Sequence, residues 1–320
     1  MYKNIVLSDV LEARNRTEKY YTRTPLHHYQ SLDELIGAEI YVKHENHQKT
    51  GSFKVRGALN VLSRLSLEDK GRGVVAATSG NFGQGVAYAA SVFDTVANIV
   101  VPVGANPSKV DSIRRLGANV IFHGEAFDDS REYAETLSQR EGFRYIHSAN
   151  ENGLVAGVAT YSLEIFEDLS DVDLIIVPVG GGSGACGACV ISDEMRSGAR
   201  VIGVQASSAP AAYLSWKEGK LIEANMDTAA EGLATRIGYD APQKILRDHL
   251  SDFILVDEDE MRKAVTTMLD HTRNLAEHAG AAALAAAIKI KDRIRGKKVV
   301  LVMSGGNITV SQLKGILMDH

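Results

Sequence analysis

The chain has 320 residues, of which 45% are hydrophobic, and a formal net charge of −5 at pH 7. These values are typical of a soluble globular protein of about two domains, and the charge offers no basic surface for nucleic acid. Apolar runs do not reach the ~20 residues that a bilayer-spanning helix needs, and the N-terminus, with Lys3 and Asp9, lacks the apolar core of a signal peptide. We expect a cytoplasmic protein that inserts into no membrane.

Short β-branched runs alternate with longer helical patterns along the chain. Most of the runs are continuously apolar, which indicates parallel strands buried on both faces. Strands are predicted at residues 39–45, 73–78, 96–102, 119–123, 145–148, 173–179, 200–206, 253–256 and 299–303. Helices are predicted between them, for example at residues 82–91, 107–116, 127–141, 154–168 and 261–277. This alternation predicts a doubly wound α/β architecture.

The first motif that could take part in catalysis is a Gly-Ser turn that precedes a predicted helix with Lys54 in its first turn. A helix N-terminus disfavours a cation and therefore favours the neutral amine, which is the form that attacks a carbonyl group. Lysine also suits Schiff-base chemistry because its stem is flexible and its pKa shifts readily. An ordinary exposed lysine is the alternative interpretation.

Two polar turns follow predicted strands. Residues 78–85 lead into a helix for which Ser79 or Asn81 is a possible N-cap, and the backbone N–H groups of such a loop bind anions such as carboxylates. Residues 303–307 place Ser304 at the carboxyl end of a buried strand, where open α/β sheets bind ligands. A plain helix cap and an ordinary turn are the respective alternatives.

A glycine-rich loop at residues 180–184 joins a strand to a helix and predicts a phosphate site, because glycines let several backbone N–H groups approach one anion. Residues 182–187 also match the dinucleotide pattern G-x-G-x-x-G. That fold needs an acidic residue after the next strand, and Gln205 stands there. A phosphate site is therefore favoured over a nicotinamide dinucleotide site.

Two motifs resemble metal sites only superficially. Cys186 and Cys189 form a C-x-x-C pair without the second pair that structural zinc requires, so packing as small apolar groups is favoured over metal or redox chemistry. His44 and His47 are spaced by three residues, not by the four of a zinc helix motif. We expect no metal site.

Taken together and in order, residues 52–54, 79–81, 180–184 and 304–307 resemble the fold-type II pyridoxal-phosphate enzymes, most closely the threonine dehydratases and serine racemases. The resemblance extends from residue 23 to residue 307. It implies two doubly wound α/β domains of the tryptophan synthase β-like fold. A small domain at residues 73–145 would be inserted into a large cofactor-binding domain at 1–72 and 146–320. It also implies a homodimer.

The resemblance implies a role for each matching position. Lys54 would carry pyridoxal 5′-phosphate and act as the base at Cα, and Ser79 would act as the acid on the opposite face in a racemase. Glu231, Gly232 and Glu277 match positions that line the cofactor. The implied cofactor contacts are Phe53, Lys54, Asn81, Gly180, Gly181, Gly182, Ser183, Gly184 and Ser304, and the implied substrate contacts are Thr78, Ser79, Phe82 and Gln84.

The implied activity is that of an ammonia-lyase, or dehydratase, which converts L-threonine, L-serine or both to a 2-oxo acid and ammonia. Racemisation of serine or another amino acid stays open, as does dehydration of phenylserine or hydroxyaspartate. A substrate with a β-carboxylate would need a free cation, for which Arg236 is the candidate. From another class, a nicotinamide-dependent oxidoreductase or an inactive cofactor-binding protein remains an alternative.

The chain departs from the family pattern at three positions. Ser183 replaces a fourth glycine of the phosphate loop, Phe82 replaces a histidine near the substrate, and His278 replaces a proline. Phe82 would favour an apolar substituent on the substrate. Within the chain itself, Glu277 and His278 are predicted to end a helix that Gly280 caps.

Two features distinguish the chain from particular family members. The carboxylates that hold a divalent cation in serine racemases correspond here to Gln205, Ala209 and Ala211, and hard cations need oxygen ligands that are preferably charged. We expect no cation there. Only 13 residues follow Asn307, so we expect no C-terminal effector-binding domain.

Overall fold

A computed structural model of the chain describes residues 5–78, 80–125 and 127–318. Within these ranges, no helix is long and apolar enough to cross a membrane. The strands are β1 Leu26–His28, β2 Glu39–His44, β3 Val74–Ala77, β4 Ala97–Val101, β5 Asn119–Phe122, β6 Arg144–Tyr145, β7 Leu174–Pro178, β8 Arg200–Ala206, β9 Asp252–Val256 and β10 Lys298–Met303.

The α-helices lie between these strands and at both ends of the chain. They are α1 Leu7–Thr17, α2 Gln30–Ile36, α3 Lys54–Leu62, α4 Leu67–Arg72, α5 Asn81–Val92, α6 Pro107–Arg115, α7 Phe127–Glu141, α8 Asn152–Val158, α9 Thr160–Asp168, α10 Ser183–Glu194, α11 Ala211–Glu218, α12 Asp240–His249, α13 Glu258–Thr272, α14 His278–Lys289, α15 Lys291–Ile294 and α16 Val310–Met318.

The strands form two sheets. The larger has the order β1-β2-β10-β7-β8-β9 and the smaller has the order β5-β4-β3-β6. Every pairing is parallel except that of β1 with β2. The prediction of parallel sheets is therefore confirmed, although only Tyr145 of the strand predicted at 145–148 lies in β6. β1 is absent from the prediction because it has only three residues, and two of them are the exposed His27 and His28.

Both sheets are covered by helices on their two faces, which explains the continuous apolar runs. In β7, Leu174 and Ile176 pack in one core with α13 and α14, whereas Ile175 and Val177 pack in a second core with α9 and α10. In β3, alternate residues likewise face α5 on one side and α7 on the other. The α/β fold with helices on both faces is thus confirmed.

The helix predicted at 261–277 is corrected. α13 ends at Thr272, because Arg273 takes a left-handed conformation with φ of 60°. Glu277 is the N-cap of the next helix, α14, so Glu277 and His278 begin a helix and do not end one. Gly280 lies inside α14, where a Cβ atom would be 2.1 Å from the carbonyl oxygen of Gly305. This glycine therefore permits close packing and is not a helix cap. The helix predicted at 154–168 is divided into α8 and α9.

A buried ionic network anchors the start of α3. The guanidinium of Arg56 binds Glu45 at 2.8 Å and Glu164 at 2.7 Å, and Lys43 Nζ binds Glu164 at 2.6 Å. All four side chains are at most 2% exposed. The network joins β2, the turn after it, α3 and α9, and its two positive and two negative charges balance. It fixes the helix whose first residue is Lys54.

Candidate active site

A cavity of about 990 Å³ lies at the carboxyl ends of strands from both sheets. Its lining includes the predicted site residues Phe53, Lys54, Thr78, Asn81, Phe82, Gly180, Gly181, Gly182, Ser183, Gly184 and Ser304. Two predicted residues are not placed in it. Gln84 is buried on α5 and is not among the lining residues, and Ser79 lies outside the described residues.

Lys54 is the first residue of α3, and its amine faces the glycine-rich loop. Nζ lies 3.4 Å from the hydroxyl of Ser183 and 4.7 Å from the centroid of the Phe53 ring. Burial lowers the pKa of Lys54 to about 8, against the opposing influence of the Glu277 carboxylate. A substantial fraction of this amine is therefore neutral near pH 8, which is the form required of a nucleophile or a base.

The glycine-rich loop forms a cradle at the N-terminus of α10. Gly182 is the N-cap and has φ of 93°, a conformation that favours glycine. A Cβ at Gly180 would lie 2.2 Å from the carbonyl oxygen of Gly232, so only glycine fits at that position. Bare backbone N–H groups at the start of a 12-residue helix bind an anion such as a phosphate group.

Asn81 begins α5 and faces the cavity between two polar partners. Its Nδ2 donates to Oε1 of Glu277 at 2.5 Å, and its Oδ1 accepts from Nδ2 of Asn307 at 2.7 Å. Burial raises the pKa of Glu277, although Lys109 and the amide of Asn81 oppose this effect. The N-cap of α5 is Gly80, so the prediction of Ser79 or Asn81 as the cap of this helix is wrong.

Backbone hydrogen bonds tie the Ser304 loop to the segments around it. The N–H of Phe53 donates to Ser304 O at 3.2 Å, and the N–H of Glu277 donates to Gly305 O at 3.2 Å. The Ser304 hydroxyl is buried and donates to Ala279 O at 3.4 Å. These bonds place a neutral hydroxyl, a carboxyl group and the first residue of α3 around one part of the cavity.

Two ion pairs across the cavity were absent from the prediction. Lys109 Nζ of α6 binds Glu231 at 2.7 Å, and Arg236 Nε binds Asp128 of α7 at 3.0 Å. Each pair joins the helices of the smaller sheet to the segment between α11 and α12. Glu231 and Arg236 are candidate site residues in the sequence. Their partners, however, are more than 100 residues away, so no local pattern identifies these ion pairs.

His147, just after β6, is another cavity residue that the prediction missed. Its Nδ1 accepts the backbone N–H groups of Ala149 and Asn150, both at 2.9 Å. Burial lowers the pKa of His147. The imidazole is therefore neutral near pH 7 and carries its hydrogen on Nε2. A single histidine after a two-residue strand gives no signal by which sequence could have found it.

One wall of the cavity is the segment from Gly219 to Tyr239, which has little regular structure beyond a 3₁₀ turn at Glu231–Leu233 and an isolated bridge between Glu223 and Ile237. We call it the 219–239 wall. Loops of this length in compact domains usually serve function. Its lining residues are Leu221, Glu223, Met226, Thr228, Glu231, Gly232, Leu233, Ala234, Thr235, Arg236, Ile237, Gly238 and Tyr239.

Three of the positions considered above for metal binding, Cys186, Cys189 and Gln205, are not arranged around a common metal site. Cys186 and Cys189 are free, buried thiols, and burial raises the pKa of both. The side chain of Gln205 accepts the N–H of Tyr213 at 2.9 Å and lies 3.3 Å from the hydroxyl of Thr235. In the parts of the chain that the structure describes, no group of three or more His, Cys, Asp or Glu side chains is arranged to hold a metal ion.

Comparison with known proteins decides the family. The family model described as pyridoxal-phosphate dependent enzyme matches residues 17–305. The chain belongs to this family. It is 40% identical to an L-threonine ammonia-lyase of Thermotoga maritima over 314 residues, 98% of this chain and 78% of the relative. It is 34% identical to the catabolic L-threonine dehydratase of Escherichia coli K12 over 315 residues, 98% of this chain and 96% of the relative.

Solved structures of the pyridoxal-phosphate family have the same fold. The serine racemase of Dictyostelium discoideum superposes with a TM-score of 0.89 at 33% identity, covering 96% of this chain and 99% of that chain. The resemblance to fold-type II pyridoxal-phosphate enzymes is therefore confirmed.

The cavity of this family member fits pyridoxal phosphate by its own chemistry. The glycine cradle leaves bare backbone N–H groups for a phosphate, and a Cβ at Gly180 would close it. The amine of Lys54, whose pKa is lowered to about 8, suits a bond to an aldehyde. The amide of Asn81 and the neutral hydroxyl of Ser304 suit the polar atoms of a pyridine ring.

Proposed function

We propose that the chain is a pyridoxal-phosphate-dependent ammonia-lyase that converts a 3-hydroxy amino acid, L-threonine, L-serine or both, to a 2-oxo acid and ammonia. The observation that carries the proposal is the placement of the Lys54 amine opposite the glycine cradle, inside a cavity that both sheets line. The activities named for the relatives from Thermotoga maritima and Escherichia coli support the choice of reaction.

In this proposal, Gly180, Gly181, Gly182, Ser183 and Gly184 would hold the phosphate, and Phe53 would pack against the ring. Asn81 would hydrogen-bond the oxygen at the 3′ position of the ring, and Ser304 would meet the ring nitrogen. When bound, pyridoxal phosphate supplies an electron sink that acidifies the α-hydrogen of the attached amino acid. Ser304 offers a hydroxyl where an aspartate would hold a proton on the ring nitrogen. Such a site suits prompt loss of a β-substituent more than a long-lived carbanion.

The role proposed for Lys54 is to carry the cofactor and then to remove the α-hydrogen. The amine serves as a base only when it is neutral, and its burial beside Phe53 supplies that form. The substrate carboxylate would lie at the start of α5, near Thr78, where backbone N–H groups attract an anion. Ion pairs across the cavity help to exclude water from the reacting atoms.

The reaction of the apoprotein with pyridoxal phosphate is expected to depend on pH through Lys54. Below pH 8 the amine is largely protonated and inert, so the rate constant for formation of the coloured adduct should rise as pH increases through about 8. An unperturbed lysine would place this midpoint near 10.5. Stopped-flow absorbance across a pH series measures it, and a midpoint above pH 10 would contradict the assignment.

The charges around the cavity favour a substrate with an uncharged side chain. Lys109, Arg131 and Arg236 all line the cavity, and each forms an ion pair, with Glu231, Glu135 and Asp128 respectively. A second carboxylate on the substrate would have to displace one of these acids. Phe82, also on the lining, adds an apolar surface that suits the methyl group of threonine.

We expect kcat/KM for 3-hydroxyaspartate to be about tenfold or more below that for L-threonine. The variant Asp128→Asn releases Arg236 from its partner at 3.0 Å and should reduce this discrimination. Steady-state assays of 2-oxo acid formation measure both ratios. Equal specificity constants for the two substrates in the unmodified enzyme would contradict the expectation.

Racemisation is a second candidate, favoured by the similarity to the serine racemase of Dictyostelium discoideum over 96% of this chain. For this reaction we propose Ser79 as the acid on the face opposite Lys54. The test of both functions is one experiment. The purified protein is incubated with a panel of hydroxy amino acids, and 2-oxo acid and chirality are assayed separately. Inertness toward the whole panel, with pyridoxal phosphate added, would refute the proposal.

We further propose that residues 73–145 form a small domain inserted into a large domain at 1–72 and 146–320. In support, the strands of the smaller sheet lie between Val74 and Tyr145, and those of the larger sheet lie before and after them. Substrate binding would then close the small domain over the cavity. We also propose that the protein is a homodimer in the cytoplasm. Sedimentation velocity tests the oligomeric state, and cell fractionation tests the location.

A further inference from the structure

Asn307 does not line the cavity, yet its carboxamide contacts a residue that does. Its Nδ2 donates to the backbone carbonyl of Thr50 at 2.8 Å and to Oδ1 of Asn81 at 2.7 Å. It lies after β10, Thr50 precedes α3, and Asn81 begins α5. One side chain therefore joins three segments that surround the cavity.

The chemistry of these partners fixes the orientation of both amides. A backbone carbonyl can only accept, so the atom of Asn307 that faces Thr50 must be the nitrogen. The same nitrogen then gives its second hydrogen to Asn81, so Oδ1 of Asn81 faces Asn307. Nδ2 of Asn81 is turned to the other side, where it donates to Glu277 at 2.5 Å.

This arrangement leaves Asn81 with one amide hydrogen that neither partner uses. An amide nitrogen carries two hydrogens, and Glu277 accepts one of them. Because Asn81 lines the cavity, the second is available to an acceptor atom there. Reversal of the amide would present an oxygen instead and would place it against the carboxyl group of Glu277.

We propose that Asn307 is a positioning residue that holds Asn81 as a hydrogen-bond donor toward the oxygen at the 3′ position of the cofactor ring. Asn307 acts through Asn81 and touches neither cofactor nor substrate. Its packing supports this role, because a Cβ at Gly51 would lie 2.4 Å from Oδ1 of Asn307, and Gly51 has φ of 69°. The inference rests on the proposed function, since it requires pyridoxal phosphate in the cavity.

The variant Asn307→Asp tests the proposal because it keeps the shape of the side chain and removes its N–H groups. A carboxylate at 307 repels Thr50 O and attracts Nδ2 of Asn81, so the Asn81 amide turns over. We expect the dissociation constant for pyridoxal phosphate to rise about tenfold. The absorption bands of the bound cofactor, which report the environment of its 3′ oxygen, should shift toward those of Asn81→Ala.

A double-mutant cycle separates positioning from a general structural role. If Asn307 acts through Asn81, adding Asn307→Asp to Asn81→Ala should change the dissociation constant by less than about twofold. The matched control is Asn119→Asp, which removes a similar amide bond to Asn98, 3.1 Å long, on β5. That variant should leave both the affinity and the bands unchanged.

Two results would overturn the positioning role. One is a pyridoxal-phosphate affinity and spectrum of Asn307→Asp that match those of the unmodified enzyme. The other is additivity of the Asn307 and Asn81 substitutions. Should Asn307→Asp fail to fold, Asn307→Ala, expected to weaken binding about threefold, enters the same cycle. An unmodified chain that binds no pyridoxal phosphate would instead contradict the proposed function itself.

Discussion

Replacement of Lys54 by alanine is expected to lower kcat for 2-oxo acid formation by at least about 10³-fold, because both the covalent attachment point and the base at Cα are lost. The purified variant should also lack the long-wavelength absorbance that borohydride removes from the unmodified enzyme. The amine is positioned for this role by its place at the start of α3 and by its 3.4 Å contact with Ser183.

The matched control is Lys49→Ala, five residues earlier. Lys49 is exposed and contacts the hydroxyl of Tyr88 at 3.1 Å, away from the cavity lining. Its removal should leave both the absorbance and the rate nearly unchanged. If Lys54→Ala retained the colour and the full rate, the assignment of this residue would be wrong, and with it the proposed reaction.

Replacement of Glu164 by alanine is expected to reduce the free energy of unfolding by about 3–5 kcal/mol, since it leaves buried cations without their partner. Arg56 would then keep only the carboxylate of Glu45, and Lys43 would lose the carboxylate that it binds. Burial by itself would raise the pKa of Glu164, but the two cations lower it, so the carboxylate is charged at neutral pH. Urea denaturation of the apoprotein, followed by circular dichroism, measures the loss.

Glu167→Ala on the same helix provides the control for this prediction. Glu167 binds Arg14 at 2.5 Å and Arg23 at 2.6 Å, but these side chains are between 27% and 49% exposed. Ion pairs at the surface contribute about 0–1 kcal/mol, so the cost should stay within that range. If the two variants lost similar amounts of unfolding free energy, the prediction that unpaired buried cations destabilise the protein would be wrong.

Much of the fold was accessible from sequence because its strands are buried on both faces. Runs such as residues 173–179 are apolar throughout, since Ile175 and Ile176 point into different cores. The cavity was accessible for a related reason. Parallel strands of one sheet end at one edge, so the turns that follow β7 and β10 meet there. The turn after β3 of the other sheet lines the same cavity, and three of the four motifs follow these strands.

What the sequence concealed depends on contacts between distant residues. Arg56 lies two residues after Lys54, but nothing local shows that it is completely buried between Glu45 and Glu164. The same holds for Lys109, which pairs with Glu231. The prediction that Gly280 caps a helix was wrong because the reason for this glycine is not local. The carbonyl oxygen of Gly305 packs so close to Gly280 that a side chain would not fit.

The 219–239 wall contributes no strand to either sheet, whereas the motif residues stand at strand ends and helix starts. Its part before Glu231, unlike Gly232, whose carbonyl oxygen packs against Gly180, can therefore change in length and composition without moving the atoms that perform the chemistry. Divergence between related enzymes should concentrate there, with the surrounding framework left intact. A library confined to this segment is the natural starting point for evolving new selectivity on an unaltered catalytic apparatus.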